Sequence, residues 1–136
     1  MDKAKHKILI IDDDEFLLDM YATKFKEEGF EVETAREGKE ALDKIKEGAN
    51  PEIVLLDVVM PGMDGFQMLR SLQRPGSGFE SLVIVVVSAL DSDAIKARGG
   101  LPQGVVFCQK PVDYTHLESL VRLQFLKKNK PAKNLN

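Results

Sequence analysis

The chain has 136 residues, 43% of them hydrophobic and 30% charged, which suits one compact domain with a real core and leaves little for a second. Its 19 Lys and Arg against 22 Asp and Glu, with a pI near 5.4, give no basic footprint for phosphate backbones, so nucleic-acid binding through this domain is not expected. One cysteine, Cys108, cannot form an internal disulfide, and no apolar run reaches signal-peptide or membrane-spanning length; a cytoplasmic protein with no membrane partner is the expectation.

Strand-like apolar runs alternate with amphipathic segments along the chain. KILII (7–11) leads straight into DDDE (12–15). Leu17, Met20, Tyr21 and Phe25 then recur at helical spacing, with Asp14 placed to cap that helix and Gly29 to end it. FEVET (30–34) sets Phe30, Val32 and Thr34 against Glu31 and Glu33, the alternation of a half-exposed strand, which predicts a sheet edge. Leu42 and Ile45 mark a second helix stopped at Gly48. EIVLL (52–56) is a buried-strand pattern that ends on Asp57, where a lone charge costs several kcal/mol or more unless paired.

Phe66, Leu69 and Leu72 mark a third helix, and RPGSGFES (74–81) reads as a loop. LVIVVV (82–87) runs into Ser88. The segment DSDAIKARGGLPQG (91–104) begins as a helix and then meets Gly99, Gly100, Pro102 and Gly104, so the fourth helix is expected to be short or frayed. GVVFC (104–108) precedes Lys110 and Pro111. Asp113 is placed to cap a fifth helix carrying Leu117, Leu120, Val121 and Phe125, and KKNKPAKNLN (127–136) reads as a flexible polar tail or the start of a linker. Five strand–helix units argue for an α/β fold, a parallel sheet with helices on both faces, over residues 1–126.

In such a sheet ligands bind beyond the carboxyl ends of the strands, where strand order switches direction. The residues at those ends are Asp12 and Asp13, Asp57, Ser88 and Lys110. Clustered carboxylates raise one another's pKa unless a cation sits among them. The donors are all oxygen, with no His or Cys nearby in sequence, which suits magnesium and disfavours zinc. An EF-hand is disfavoured too, because DDDEFLLDMYAT (12–23) lacks the glycine at the sixth loop position and the acid at the twelfth. A strand-end carboxylate with a divalent cation, a lysine and a hydroxyl is the set needed to receive a phosphoryl group, with Asp57 as nucleophile, Mg2+ and Lys110 neutralising charge, and Ser88 donating a hydrogen bond. His6 and His116 read as surface or helix-end residues, and Cys108 as a small buried strand residue.

IIDDD (10–14), LLDVVMPGMDG (55–65), VVVSA (85–89) and KP (110–111), in this order and spacing, resemble the receiver domain of bacterial two-component response regulators over about residues 6–126. The resemblance implies a flavodoxin-like, doubly wound, five-stranded parallel sheet of order 2-1-3-4-5 with five helices. It implies that Asp57 is phosphorylated by a histidine kinase or histidine phosphotransfer protein. It further implies that Asp13 and Asp57 bind Mg2+ together with the Val59 carbonyl, with Asp12 acting mainly through water. Lys110 would bridge to Asp57 or its phosphoryl group, across from a cis bond to Pro111. Gly65 would supply a loop conformation that a Cβ resists. Ser88 and Phe107 would be the switch residues, transmitting the added charge to a surface of the fourth helix, fifth strand and fifth helix.

The protein is thus expected to be a signalling phosphoacceptor, its chemistry limited to Mg2+-dependent self-phosphorylation and self-dephosphorylation, acting on a downstream effector or as a homodimer. Phe107 stands where relatives commonly have tyrosine, and the GGLPQG segment (99–104) alters the region that forms the fourth helix in relatives. Val59 and Leu90, two residues beyond Asp57 and Ser88, are apolar, so slow loss of the phosphoryl group is expected. The alternative is a pseudo-receiver, a protein-interaction module that acts without phosphorylation. A flavodoxin is opposed by DDDE, which would repel an FMN phosphate. An aspartyl phosphohydrolase is opposed by Val59, where such enzymes carry a second acid.

Overall fold

A computed structural model of the chain describes residues 6–59, 65–79 and 81–129. Ten elements alternate without exception: β1 (Lys7–Ile11), α1 (Glu15–Glu27), β2 (Glu31–Ala35), α2 (Gly38–Lys46), β3 (Ile53–Leu56), α3 (Gly65–Gln73), β4 (Val83–Ser88), α4 (Ser92–Ala97), β5 (Val106–Gln109) and α5 (Tyr114–Asn129). The strands form one parallel sheet of order β2-β1-β3-β4-β5, as the sequence motifs imply. The chain goes from β1 to β2 on one side and then crosses to β3 on the other. The switch in direction therefore lies between β1 and β3.

Successive strand residues point to opposite faces, so one apolar run supplies two cores. Ile8, Ile10, Ile53, Leu55, Val83, Val85 and Val87 face α1 and α5 and pack with Leu18, Tyr21, Phe25, Leu117 and Val121. Leu9, Ile11, Val54, Leu56, Ile84 and Val86 face α2, α3 and α4 and pack with Ala41, Ile45, Phe66, Met68, Leu69, Leu72 and Ile95. Truncating one of the fully buried large residues, such as Phe25, would cost about 3–5 kcal/mol. On β2, Val32 and Thr34 are half-buried while Glu31 and Glu33 are exposed, as an edge position requires.

The helix ends follow local chemistry. Asp14 caps α1, its side chain accepting from the N–H groups of Phe16 and Leu17. Gly29 and Gly48 leave α1 and α2 with φ of 97° and 101°, a region that residues with a Cβ avoid. Two expectations shift. The buried stripe of α1 is Leu18, Tyr21 and Phe25, with Leu17 and Met20 only half-buried, because the core covers the helix flank that carries Leu18. α5 runs to Asn129, three residues past the expected boundary at 126; positions 130–136 of the anticipated tail, like 60–64 of the loop after β3, lie outside the described residues.

α1 and α5 meet through Phe25 and Tyr114, whose rings pack edge to face with centroids 5.0 Å apart, and through Arg122 and Glu28. Among the described residues the Tyr114 hydroxyl is buried without a hydrogen-bond partner, and burial pushes its pKa up to about 12. An unsatisfied buried hydroxyl costs roughly 1–3 kcal/mol while the ring remains useful. Tyr114→Phe should accordingly raise the midpoint of chemical denaturation, by about 1 kcal/mol in unfolding free energy; a clear loss of stability would mean that the hydroxyl is satisfied in solution.

Candidate functional site

Asp12 and Asp13 directly follow β1, Asp57 follows β3, Ser88 closes β4, and Lys110 follows β5. All five therefore lie at the carboxyl edge of the sheet, and the three carboxylates straddle the switch between β1 and β3. The backbone fixes the edge. The Asp57 N–H bonds to the Ile11 carbonyl at 3.0 Å, the Asp12 N–H to the Ala35 carbonyl at 3.1 Å, and the Lys110 N–H to the Ser88 carbonyl at 2.8 Å. Parallel pairing thus continues one residue beyond each strand and aims each side chain from a fixed main chain.

Asp12 and Asp57 are buried, at 3% and 7% exposure, whereas Asp13 is exposed. The Lys110 ammonium reaches over β4 and sits 2.7 Å from Asp12 Oδ2 and 3.2 Å from Asp57 Oδ2. Asp12 is further held by the Asp14 N–H, which donates to its Oδ1 at 2.9 Å, and Asp57 by the Val59 N–H, which donates to its Oδ1 at 3.0 Å. Burial pushes the Asp57 carboxyl above the usual range, with Asp12 adding to the shift; the Val59 N–H and Lys110 oppose it without reversing it. Burial also works against the Lys110 charge, but the hydrogen bond it donates to Asp12 and the nearness of Asp57 outweigh it, so its pKa is raised.

One oxygen from each of Asp12, Asp13 and Asp57 falls within 4.8 Å of the others. Three carboxylates and no nitrogen or sulfur donor fit a small, hard cation that keeps several of its own waters, so the residues present suit Mg2+. The structure therefore brings together four of the residues singled out from sequence: Asp12, Asp13, Asp57 and Lys110. Ser88 is fully buried at the same edge, with its hydroxyl oxygen accepting the Leu90 N–H at 3.2 Å. Phe107 stands apart from the carboxylates; it is half-buried and packs onto the α2, α3 and α4 face. The Lys110–Pro111 peptide bond is cis.

Two features differ from the sequence expectations. Lys110, expected to bridge to Asp57, makes its shorter contact to Asp12. Ninety-eight positions separate the two, and β1 and β5 are not neighbours, so no local pattern could have paired them. Gly65 is the first residue of α3 and is not among the glycines with positive φ. A Cβ there would lie 2.4 Å from the Val58 Cα, so the glycine is required for the close approach of α3 to the segment after Asp57, not for a loop conformation.

A doubly wound α/β domain with an acidic, lysine-bridged cluster at its switch point carries that cluster where this class of fold places its ligand sites. The chain belongs to the response regulator receiver domain family, whose family model matches residues 8–122, as the sequence motifs suggested; the family works in two-component systems and binds Mg2+ at an acidic pocket. It is 32% identical to the DNA-binding response regulator MtrA of Mycolicibacterium smegmatis, over all of this chain and 58% of that protein. It is 35% identical to the response regulator PleD of Caulobacter vibrioides, over 85% of this chain and 25% of that protein. The chain thus spans between a quarter and three fifths of these relatives. Among solved structures, the receiver domain of the Francisella response regulator 1452 superposes with a TM-score of 0.75 at 28% identity, covering 92% of this chain and 100% of that one. Among the described residues no helix is long and apolar enough to cross a membrane.

The raised Asp57 pKa has a definite sign for stability. The folded chain holds this proton more tightly than the unfolded chain, so the stability it contributes is complete below the ordinary carboxylate range and is lost as pH rises through the raised value. In metal-free buffer at pH about 7, Asp57→Asn should melt a few degrees above wild type, the scale of ~1 kcal/mol in a domain of this length. The gap should close as the pH approaches about 4. Scanning calorimetry with chelator at several pH values measures it, and a variant that melts below wild type at neutral pH would mean that Lys110 and the Val59 N–H outweigh the cost of burying the Asp57 charge.

Proposed function

We propose that Asp57 is the phosphoacceptor of a two-component signalling system. The observation that carries this reading is the Lys110 ammonium bridging Asp57 and Asp12 at the switch point, with Asp13 close enough to complete a three-carboxylate cluster. Membership of the receiver family supports it and implies a histidine kinase or a histidine phosphotransfer protein as donor.

In this reading a carboxylate oxygen of Asp57 attacks the phosphorus of a phosphohistidine on the partner. The P–N bond breaks as the new P–O bond forms, the imidazole leaves with the electron pair and takes up a proton, and an acyl phosphate remains on Asp57. Asp57 must be ionised to attack, and the Val59 N–H and Lys110 favour that form. Lys110 then exchanges carboxylate contacts for phosphoryl oxygens, while Asp12 keeps the ammonium at the rim. Ser88 exchanges the Leu90 N–H for a phosphoryl oxygen to which its hydroxyl donates. Asp12, Asp13, Asp57 and the Val59 carbonyl would hold Mg2+, which when bound neutralises charge on the transferring group.

Movement of Ser88 and repacking of Phe107 carry the change to α4, β5 and α5, whose surface an effector or a second copy reads. The chemistry stops at the phosphorylated protein and its own hydrolysis. Incubation with acetyl phosphate and Mg2+ followed by intact mass should add one phosphoryl group to wild type and none to Asp57→Asn, and chelator should block the addition. Wild type left unmodified would overturn the reading and leave a pseudo-receiver.

Hydrolysis needs a water aimed at the phosphorus. The side chains flanking the path, Val59 at 45% exposure and the half-buried Leu90, offer that water no hydrogen bond. The acyl phosphate should therefore be long-lived. Val59→Asn, which adds a donor and an acceptor at the rim, should shorten its half-life by about tenfold, an effect worth ~1.4 kcal/mol in the barrier. Decay of the phosphorylated mass after removal of acetyl phosphate measures this, and equal half-lives would remove the role assigned to Val59.

A further inference from the structure

A groove of about 180 Å³ lies on the face opposite α1 and α5, between α3 and the turn from α4 to β5, lined by Phe66, Leu69, Arg70, Gly99, Gly100, Leu101 and Pro102. α4 creates it by ending early. Gly99 and Gly100 take φ of 103° and 77°, and their N–H groups close onto the Lys96 and Ile95 carbonyls, so the helix stops after six residues. An added Cβ at either glycine would meet nothing within 4 Å; the left-handed backbone demands the glycines, and the space beside them is left open. The groove is smaller than the ~300 Å³ at which small-molecule sites begin, and suits one or two apolar side chains.

Its charge is distinct from that of the molecule. The protein carries more acids than bases, yet residues 65–79 and 94–109 contain Arg70, Arg74, Lys96 and Arg98 and no Asp or Glu. All four cations are exposed, and among the described residues none forms an ion pair. Arg98 lies over the Phe66 ring, 5.9 Å from its centroid, and Arg70 stands one helical turn after Phe66. Two guanidiniums thus flank an apolar floor. Arginine is enriched at interfaces, where it rims apolar pockets, and the local charge selects a carboxylate-bearing occupant.

We propose that this groove docks an acidic segment of a partner protein, an apolar side chain seated against the half-buried Leu101 and Pro102 beside the buried Phe66, and flanking carboxylates paired with Arg70 and Arg98. The site is separate from the carboxylate cluster and does not require phosphorylation of Asp57.

The test is an NMR titration of the 15N-labelled chain with a synthetic peptide of the pattern Glu-Asp-Leu-Phe-Glu-Asp. Its Gln/Asn isostere and a short DNA duplex serve as comparison probes. The expected result is saturable shifts confined to the region of 66–70 and 98–102, weakened about tenfold or more by the double variant Arg70→Glu/Arg98→Glu and by raised salt. The double variant Lys26→Glu/Lys46→Glu, two exposed reversals on α1 and α2, makes the same change in net charge and should leave binding intact. Both arginines are exposed, so the double arginine variant is expected to fold, and its amide spectrum verifies this. Shifts elsewhere, no shifts, indifference to the double reversal, equal binding of the isostere, or tighter binding of the duplex would each overturn the proposal. So would concentration-dependent shifts at these residues without peptide, which would assign the groove to a second copy of the chain.

Discussion

One ammonium holds the carboxyl edge of this sheet together. Asp12 and Asp57 are both buried, and two buried carboxylates on neighbouring strands cannot both stay ionised without compensation. Lys110 supplies it from β5, reaching over β4 to touch both. The arrangement is asymmetric. Each carboxylate accepts one backbone N–H at its Oδ1; Asp12 has the shorter contact to Lys110, so it is the anchor, while Asp57 has the longer contact and a pKa pushed upward by burial. The chain thereby keeps its proposed nucleophile under-compensated at a fixed position, where added positive charge has the most to stabilise. The electrostatic strain and the chemistry are one feature seen from two sides.

The hydrophobic core serves this edge by making it rigid. β1, β3 and β4 are buried on both faces, and their ladders extend by single hydrogen bonds into Asp12, Asp57 and Lys110. Displacing the main chain at Asp12 or Asp57 would require sliding a strand against two packed layers. Gly65 adds a constraint from outside the sheet. With a methyl group it would meet the Val58 backbone, so α3 can lie against the residues after Asp57 only because that position has no side chain. Packing of α3 through Phe66 and Leu69 is thus coupled to the main chain that presents Val59 to the site.

The sequence disclosed most of this where the signals were local. Continuous apolar runs gave the strands, the Glu31–Glu33 alternation gave the edge, and the breakers after Ala97 gave a short α4. Strand ends gave the site, because a parallel sheet maps sequence position onto one edge without further information. The missing parts were those that depend on three-dimensional distance. Lys110 has three candidate acids in the sequence, Asp12, Asp13 and Asp57, and nothing in a one-dimensional pattern tells which is nearest across non-adjacent strands. The glycine at 65 is visible, but a glycine needed for φ and one needed for clearance look the same in sequence. Leu17 and Leu18 are consecutive and equally apolar on α1, and the tilt of the helix on its sheet decides that Leu18 is the one covered.

The proposed chemical site and the proposed docking groove meet in α4. That helix has six residues and one buried anchor, Ile95, and it begins shortly after Ser88. Its other end is held by Arg98 over Phe66 and by two glycines in a conformation few residues adopt. Short elements with few buried side chains are the kind that open at the low-stability end of a fold. Phe107 and Leu101 both pack against the cluster that contains Ile95, so a change at either end of α4 alters the same small set of contacts. A segment seated between Arg70 and Arg98 would favour whichever position of α4 keeps the groove open. By linkage, charge added at Asp57 would then change the affinity of that segment by the same factor that the segment changes the equilibrium of phosphorylation. Coupling of this kind needs no long pathway, only a short helix shared by two sites.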